Sequence, residues 1–252
     1  MAPPPDGSAT IIIPSRMGST RLPGKALLRE TGKSLTQHVV ESARGSRLAQ
    51  RVVVAGDDRR IIEDVESFGG EAVLTGEHPN GTSRLAEAAS ILALADDDIV
   101  ANVQGDEPEI DPALIDDAIA LLRETDADIT TVVSPFAPDE DPALPSIVKA
   151  VLTRSGRALY FSRALVPHDR EGSGGAGSAC PPLKHVGLYV YRCATLKEYA
   201  DLPECPIERS ERLEQLRALD DGMVIRAVIR RATHHGIDTR ADYEAFVDRQ
   251  KR

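Results

Sequence analysis

The chain has 252 residues, 41% of them hydrophobic, and a formal net charge of −10 at pH 7. This length predicts one sizeable hydrophobic core, and the acidic balance excludes sequence-independent binding of nucleic acid, which requires a basic face. No apolar run approaches the ~20 residues that span a bilayer, so we predict no membrane insertion.

Residues 1–9 carry neither a basic segment nor an apolar one, and we expect a short disordered lead rather than a signal peptide. The three cysteines, Cys180, Cys193 and Cys205, form no Cys-x-x-Cys pair. An odd number of cysteines at loose spacing is typical of free thiols in a reducing compartment. These features predict a cytoplasmic protein.

Strands and helices alternate through the first half of the chain. Short β-branched runs predict buried strands, and apolar stripes of helical period predict helices. The predicted strands are 11–14, 52–55, 72–75, 99–103 and 129–133. Helices are predicted after the caps Ser34 (with Gln37 as capping-box partner), Asp57 or Asp58, and Asp111, and another from about 83 to 94. This alternation predicts a doubly wound, mostly parallel α/β sheet.

The second half of the chain has a different pattern. Residues 134–145 hold four prolines and predict a crossing loop. The runs 148–152 and 158–163 flank a hairpin signal at 154–157, and the Gly-, Ser- and Pro-rich residues 171–182 predict a mobile loop. The remaining predicted elements are a strand at 185–191, a charged helix at 207–219, a strand at 224–229 and a last helix capped by Thr239. We expect them to add a smaller mixed-sheet extension.

The first strand runs into a loop that is rich in glycines and cations. Residues 15–33 hold five Lys or Arg and one Glu, a local charge of +4 on an acidic chain. Backbone N–H groups at the end of a strand, together with Arg16, Arg21 and Lys25, are typical of a polyphosphate site. The loop therefore predicts a small anionic substrate.

Asp106 follows the fourth predicted strand, in the segment NVQGDEP at 102–108. Ligands of open parallel sheets bind outside the carboxyl ends of the strands. A carboxylate there can hold Mg²⁺, which prefers oxygen ligands and is shared with substrate phosphates. Paired with the cationic loop, Asp106 predicts a metal-assisted reaction rather than a simple turn.

Six segments, in order, carry a resemblance to a known family. They are the cationic loop, NVQGDEP at 102–108, ALYFSRA at 158–164, KHVGLYVYR at 184–192, ERLEQLR at 211–217 and GIDT at 236–239. From about residue 10 to 248 the chain resembles the 3-deoxy-manno-octulosonate cytidylyltransferases, or CMP-Kdo synthetases. The resemblance implies a nucleotide-diphospho-sugar transferase-like fold. It also implies transfer of CMP from CTP to the anomeric hydroxyl of 3-deoxy-D-manno-octulosonate (Kdo), with release of pyrophosphate, for lipopolysaccharide biosynthesis.

The resemblance also implies roles for individual residues. The implied catalytic set is Arg16, Lys25, Asp106 and Asp238, and the two aspartates are the implied ligands of Mg²⁺. The implied CTP-binding residues are Pro14, Ser15, Arg16, Gly18, Ser19, Arg21, Lys25, Gly81, Thr82, Arg84 and Gln104. The implied sugar-binding residues are Gln104, Arg163, His185, Tyr189, Glu214 and Gln215. Kdo is an acid with many hydroxyls, and its carboxylate needs a cation, best an arginine fork.

The resemblance further implies a single nucleotidyltransferase domain over 10–250 and a homodimer. Within it, 10–134 would form a nucleotide-binding half and 147–250 a sugar-binding and dimerisation half. Two alternatives stay open: a cytidylyltransferase for another 2-keto acid sugar (a sialic acid or an amino-Kdo analogue), and a non-catalytic nucleotide-binding regulator. The implied metal pair argues against the regulator, because binding alone does not need it.

Overall fold

The computed structural model describes residues 7–19, 21–170, 180–233 and 236–251. The strands in these residues are β1 (Ala9–Ser15), β2 (Arg51–Gly56), β3 (Glu71–Leu74), β4 (Ile99–Asn102), β5 (Ile129–Pro135), β6 (Lys149–Leu152), β7 (Ala158–Ser162), β8 (Leu183–Arg192) and β9 (Ile225–Ile229). The α-helices are α1 (Leu35–Ala43), α2 (Arg59–Ser67), α3 (Gly81–Ile91), α4 (Pro112–Glu124), α5 (Cys193–Asp201), α6 (Pro206–Glu211), α7 (Gln215–Asp220) and α8 (Arg240–Gln250). Most of the predicted lead and of the predicted glycine-rich loop lies outside the described residues. No helix in the described part of the chain has the length and apolar character to cross a membrane.

The main sheet has the strand order β3-β2-β1-β4-β8-β5-β9. Strand β1 pairs in parallel with β2 and β4, β2 pairs in parallel with β3, and β5 pairs in parallel with β9. Strand β8 runs antiparallel between β4 and β5. The mostly parallel α/β sheet predicted from the alternating elements is confirmed.

The β6–β7 hairpin supplies the smaller extension and joins the main sheet through β8. Strand β4 pairs with β8 as far as Tyr189, and beyond that point β6 pairs with β8 at Leu183 and Lys184. The hairpin therefore stands past the carboxyl end of β4. Strands β8 and β9, which the sequence pattern assigned to the extension, lie in the main sheet.

Hydrophobic side chains cover both faces of the sheet. Along β1, Ile11 and Ile13 point into one cluster with residues of α1, α2 and α4, while Ile12 points into a second cluster with residues of α3, α5 and α7. This is the two-residue alternation of a strand that is buried on both sides. A third, smaller cluster packs Tyr243 and Phe246 of α8 beside the start of α1.

Most of the predicted helix caps are present. Asp58, Asp111 and Thr239 cap α2, α4 and α8 through their side chains. Ser34 caps α1 by accepting from the backbone N–H of Gln37. The predicted reciprocal bond of a capping box is wrong, because the Gln37 amide donates to Glu41 instead, at 2.9 Å.

Three helix predictions differ from the structure. The single helix predicted over 207–219 is broken, because Arg212 adopts a left-handed conformation (φ 51°) that ends α6 before α7 begins. Helix α3 starts two residues earlier than predicted, at Gly81, because the side chain of Asn80 caps it. Helix α5 was not predicted, and it follows β8 directly.

Candidate active site

The predicted site lies at one edge of the sheet. Strands β1, β2 and β4 are parallel, so the loops that follow them leave the sheet at the same edge. The loop after β4 passes so close to β1 that a Cβ on Gly105 would lie 2.6 Å from the carbonyl oxygen of Pro14. Only glycine fits there without a shift of backbone. This close approach brings Asp106 up to the cationic loop.

A cavity of about 370 Å³ opens at this edge. Most of the predicted catalytic and CTP-binding residues line it, namely Pro14, Ser15, Arg16, Ser19, Arg21, Lys25, Gly81, Arg84, Gln104, Asp106 and Asp238. Two predicted residues are not in the lining: Gly18 is exposed and Thr82 is buried. The cavity is also lined by His78, Pro79 and Asn80, which no sequence motif marks because they occupy a connection between a strand and a helix.

Lys25 lies at the centre of the charged end of the cavity. Its ammonium donates to Oδ2 of Asp106 at 2.9 Å and to the carbonyl oxygen of Ile237 at 2.8 Å, and it lies 3.7 Å from Oδ1 of Asp238. A guanidinium nitrogen of Arg21 approaches that same Asp238 oxygen at 2.9 Å. Two carboxylates that are distant in sequence therefore converge on one cation.

A third acidic side chain, Glu107, lies behind this cluster. Burial, reinforced by the charges of Asp106 and Asp238, raises the pKa of Glu107 to about 8, while Lys25 acts in the opposite direction. No group of three or more His, Cys, Asp and Glu in the described part of the chain is arranged to hold a metal ion. The candidate ligands are therefore the two carboxylates that reach Lys25.

Arg84 also lines the cavity, from the first turn of α3. Its side chain is 5% exposed, and the guanidinium donates to Oγ1 of Thr75 at 2.7 Å and to Oδ2 of Asp57 at 3.2 Å. The other oxygen of Asp57 accepts from the backbone N–H of Met17 at 3.0 Å. The N-terminal end of α3 adds the partial positive charge that favours an anion.

The segment before α3 is fixed by a histidine–glutamate contact. Nε2 of His78 lies 2.5 Å from Oε2 of Glu87, and the same carboxylate accepts from the backbone N–H of Gly76 at 2.9 Å. The contact with His78 lowers the pKa of Glu87. An ionised Glu87 on α3 therefore fixes the backbone that carries His78 into the cavity lining.

Gln104 leads from the cavity towards β8. A Cβ on Gly187 would lie 3.4 Å from Cγ of Gln104. On either side of Gly187, the rings of His185 and Tyr189 have centroids 5.1 Å apart. Nε2 of His185 lies 2.9 Å from Oγ1 of Thr131, and burial lowers the pKa of His185 to about 3. The imidazole is therefore neutral and acts as a hydrogen-bonding group rather than as a charge.

Glu214 and Gln215, at the start of α7, lie on the α3 side of the sheet. Burial raises the pKa of Glu214, and a hydrogen bond with Thr82 opposes this effect. Burial raises the pKa of Tyr189, and the charge of Glu214 adds to this effect. Gln215 is buried. Glu214 thus connects the neighbourhood of Tyr189 to α3.

Arg163, the predicted partner of a sugar carboxylate, is held by backbone oxygens. Its Nε donates to the carbonyl of Glu211 at 2.7 Å, and its terminal nitrogens donate to the carbonyls of Pro145 and Arg212 at 3.0 and 3.3 Å. These contacts tie the end of β7 to the break between α6 and α7. Arg163 is not in the lining of the cavity, and its role towards a sugar stays a prediction.

Known proteins resemble this chain over nearly its whole length. The sequence matches the cytidylyltransferase family over residues 10–225. A 3-deoxy-manno-octulosonate cytidylyltransferase of Hahella chejuensis is 46% identical over 242 residues, which cover 93% of this chain and 94% of the relative. The enzyme of the same name from Geobacter sulfurreducens is 44% identical over 250 residues, covering 96% and 99%. The solved structure of a CMP:2-keto-3-deoxy-manno-octonic acid synthetase complexed with CTP matches with a TM-score of 0.90 and 39% identity, covering 97% of this chain and 99% of that one. The chain therefore belongs to the cytidylyltransferases, in the family of the 3-deoxy-manno-octulosonate enzymes.

Proposed function

We propose that this nucleotidyltransferase transfers CMP from CTP to the anomeric hydroxyl of Kdo, giving CMP-Kdo and pyrophosphate for lipopolysaccharide biosynthesis. The observation that carries the proposal is the convergence of Lys25, Asp106 and Asp238 in a cavity whose rim holds Arg16 and Arg21. Cations surround the space for a polyphosphate, and two carboxylates at its end can hold a metal ion. The whole-length similarity to enzymes named for this reaction supports the choice of substrates.

In this proposal the cations of the cavity stabilise negative charge on the phosphates. The reaction breaks the bond between the α- and β-phosphates, and negative charge builds up on the leaving pyrophosphate. Fixed donors that face this developing charge stabilise the transition state more than the ground state. We assign this role to Arg16, Arg21 and Lys25. Lys25 is the most firmly held of the three, because Asp106 and the carbonyl of Ile237 fix its ammonium.

Asp106 and Asp238 would hold Mg²⁺. The fit rests on their donor atoms: Oδ2 of Asp106 and Oδ1 of Asp238 already reach a common cation, the ammonium of Lys25. Carboxylate oxygens shared with substrate phosphates are the ligands that Mg²⁺ prefers. When bound, the ion would neutralise phosphate charge and lower the pKa of the attacking hydroxyl. The two aspartates would then orient the sugar hydroxyl for in-line attack.

We place the sugar beside β8, next to the phosphate end of the cavity. Gln104 adjoins both regions, and the neutral His185 and the hydroxyl of Tyr189 offer hydrogen bonds to sugar hydroxyls. Glu214 and Gln215 complete the polar set from the side of α7. For Arg163 we propose contact with the sugar carboxylate through the donors that its three carbonyl partners leave unused.

We further propose a homodimer and a cytoplasmic location. Three leucines on and around the β6–β7 hairpin are largely exposed, Leu144 by 46%, Leu159 by 58% and Leu165 by 48%, which supports contact with a second copy of the chain. The free thiols of Cys193 and Cys205 suit a reducing compartment. Light scattering on Leu159→Glu, compared with the unchanged chain, tests the dimer: a monomeric variant supports it, and a monomeric unchanged chain refutes it.

The activity is tested by pyrophosphate release with CTP, Mg²⁺ and a panel of 2-keto acid sugars. We expect release with Kdo and none with purine triphosphates in place of CTP. Product with a sialic acid or an amino-Kdo analogue, but not with Kdo, would assign the enzyme to that other sugar. CTP binding without release with any sugar would favour the non-catalytic regulator.

A further inference from the structure

Asp57 bridges two walls of the cavity without being part of its lining. It follows β2, and its two carboxylate oxygens have different partners. Oδ1 accepts from the backbone N–H of Met17 in the loop after β1, at 3.0 Å, and Oδ2 accepts from the guanidinium of Arg84 on α3, at 3.2 Å. One side chain therefore fixes the cationic loop after β1 and the first turn of α3 relative to each other.

The helix that follows does not need Asp57 as its cap. The side chain of Asp58 caps α2 by accepting from the backbone N–H of Arg60, at 2.9 Å. Both oxygens of Asp57 instead bind groups of the cavity walls, the backbone N–H of Met17 and the guanidinium of Arg84. The side chain of Asp57 is only 20% exposed. Its contacts therefore serve the site rather than the helix.

Arg84 depends on this carboxylate for its orientation. An arginine whose side chain is 5% exposed needs both a counter-charge and fixed acceptors for its guanidinium. Asp57 supplies the charge, and the hydroxyl of Thr75 supplies a second fixed acceptor at 2.7 Å. With two of its nitrogens held, the guanidinium lines the cavity in one orientation, and less ordering remains to be done when a ligand binds.

We propose that Asp57 is a positioning residue for the nucleotide: it holds Arg84 and the loop at Met17 in the arrangement that receives CTP. This inference rests on the proposed function, because it takes the ligand of the cavity to be CTP. Asp57 acts through its two partners and need not touch the nucleotide.

Titration calorimetry with CTP on the full-length chain tests the proposal. Asp57→Ala should weaken CTP binding at least tenfold, as expected when a charge-assisted hydrogen bond is lost. The CTP affinity of Asp57→Asn should lie between those of Asp57→Ala and the unchanged chain, because the amide oxygen of the asparagine can still accept from the backbone N–H of Met17. The matched control is Asp58→Asn, which keeps a good helix cap and should bind CTP within twofold of the unchanged chain. The KM for Kdo should stay within twofold in all three variants.

A double-mutant cycle separates positioning from general stability. In an Arg84→Ala background, Asp57→Ala should weaken CTP binding by less than threefold further, because its main partner is already gone. Fully additive effects, or an unchanged affinity for CTP in Asp57→Ala, would overturn the inference. So would a lower melting temperature with normal affinity in the folded fraction. If Asp57→Ala does not fold, the nearly isosteric Asp57→Asn decides: CTP binding weaker than that of the unchanged chain supports the inference, and an unchanged affinity overturns it. An unchanged chain that binds CTP but releases no pyrophosphate refutes the proposed reaction and leaves this calorimetric test intact.

Discussion

Replacing Lys25 with methionine removes the ammonium and keeps an unbranched side chain. In the structure this ammonium makes two short hydrogen bonds, to Asp106 at 2.9 Å and to the carbonyl of Ile237 at 2.8 Å. Hydrogen bonds of charged groups contribute about 1.5–3 kcal/mol each. Asp106 is 29% exposed and regains water in the variant, so we expect a net loss of about 1–3 kcal/mol in the free energy of unfolding. For a chain of this size the melting temperature falls by roughly 2–12 °C.

The effect of the same change on turnover should be larger. Loss of one fixed donor that faces developing charge costs about 10²–10³ in kcat. Pyrophosphate release is measured at saturating CTP and Kdo at 25 °C, where we expect the variant to be folded. The control is Lys33→Met, which removes an exposed ammonium paired with Glu41 and should stay within twofold in rate. A Lys25→Met variant that loses stability as expected but keeps kcat within threefold would show that the ammonium is only structural.

Further substitutions and a change of pH probe the remaining assignments. Asp106→Asn and Asp238→Asn should each lower turnover about 100-fold or more while circular dichroism stays unchanged, because a charged ligand of Mg²⁺ is lost; near-normal rates of both variants at limiting Mg²⁺ would contradict the assignment. Arg163→Ala should raise the KM for Kdo about 10- to 100-fold, while the CTP affinity measured by calorimetry stays within twofold. A lower melting temperature with an unchanged KM for Kdo would show that Arg163 has only a structural role, through its contacts with backbone carbonyls. Because burial lowers the pKa of His185 to about 3 from 6.5, the unfolded chain binds a proton below pH 6.5 that the folded chain does not. The free energy of unfolding should therefore fall by about 2 kcal/mol between pH 7.5 and pH 5. Measured by urea unfolding, this decrease in the free energy of unfolding should be absent in His185→Gln. The control variant His168→Gln, at an exposed position, should retain it.

The first half of the fold could be predicted because its signals are local. Strands β1, β2, β4 and β5 contain runs of β-branched residues, and caps such as Ser34 and Asp111 mark where helices begin. The position of β8 could not be predicted in this way. Its place between β4 and β5 results from pairing over long sequence distances, and no local pattern carries that information. Neither did any pattern indicate the left-handed Arg212 inside a charged amphipathic run.

The site residues likewise differ in whether local sequence signals mark them. The loop with Arg16 and Lys25 could be found because glycines and cations follow a strand, and Asp106 because it follows another. The sequence pattern makes Asp57 a possible helix cap, since a carboxylate just before a helix usually has that role. Its actual partner, Arg84, lies 27 positions later in the chain, and only the folded chain brings the two together.

The place of β8 also has a consequence for how the chain is made. The two strands paired with β5 in the described residues are β8 and β9, and both leave the ribosome later. From the end of β5 at Pro135 to the start of β8 at Leu183 there are roughly 50 residues, or several seconds of synthesis at ~5–20 residues per second. During that time β5 has no partner, and the β8-facing edge of β4 is open as well. Open strand edges promote aggregation. The first 135 residues therefore hold an incomplete sheet, and the nascent chain carries open strand edges until β8 emerges.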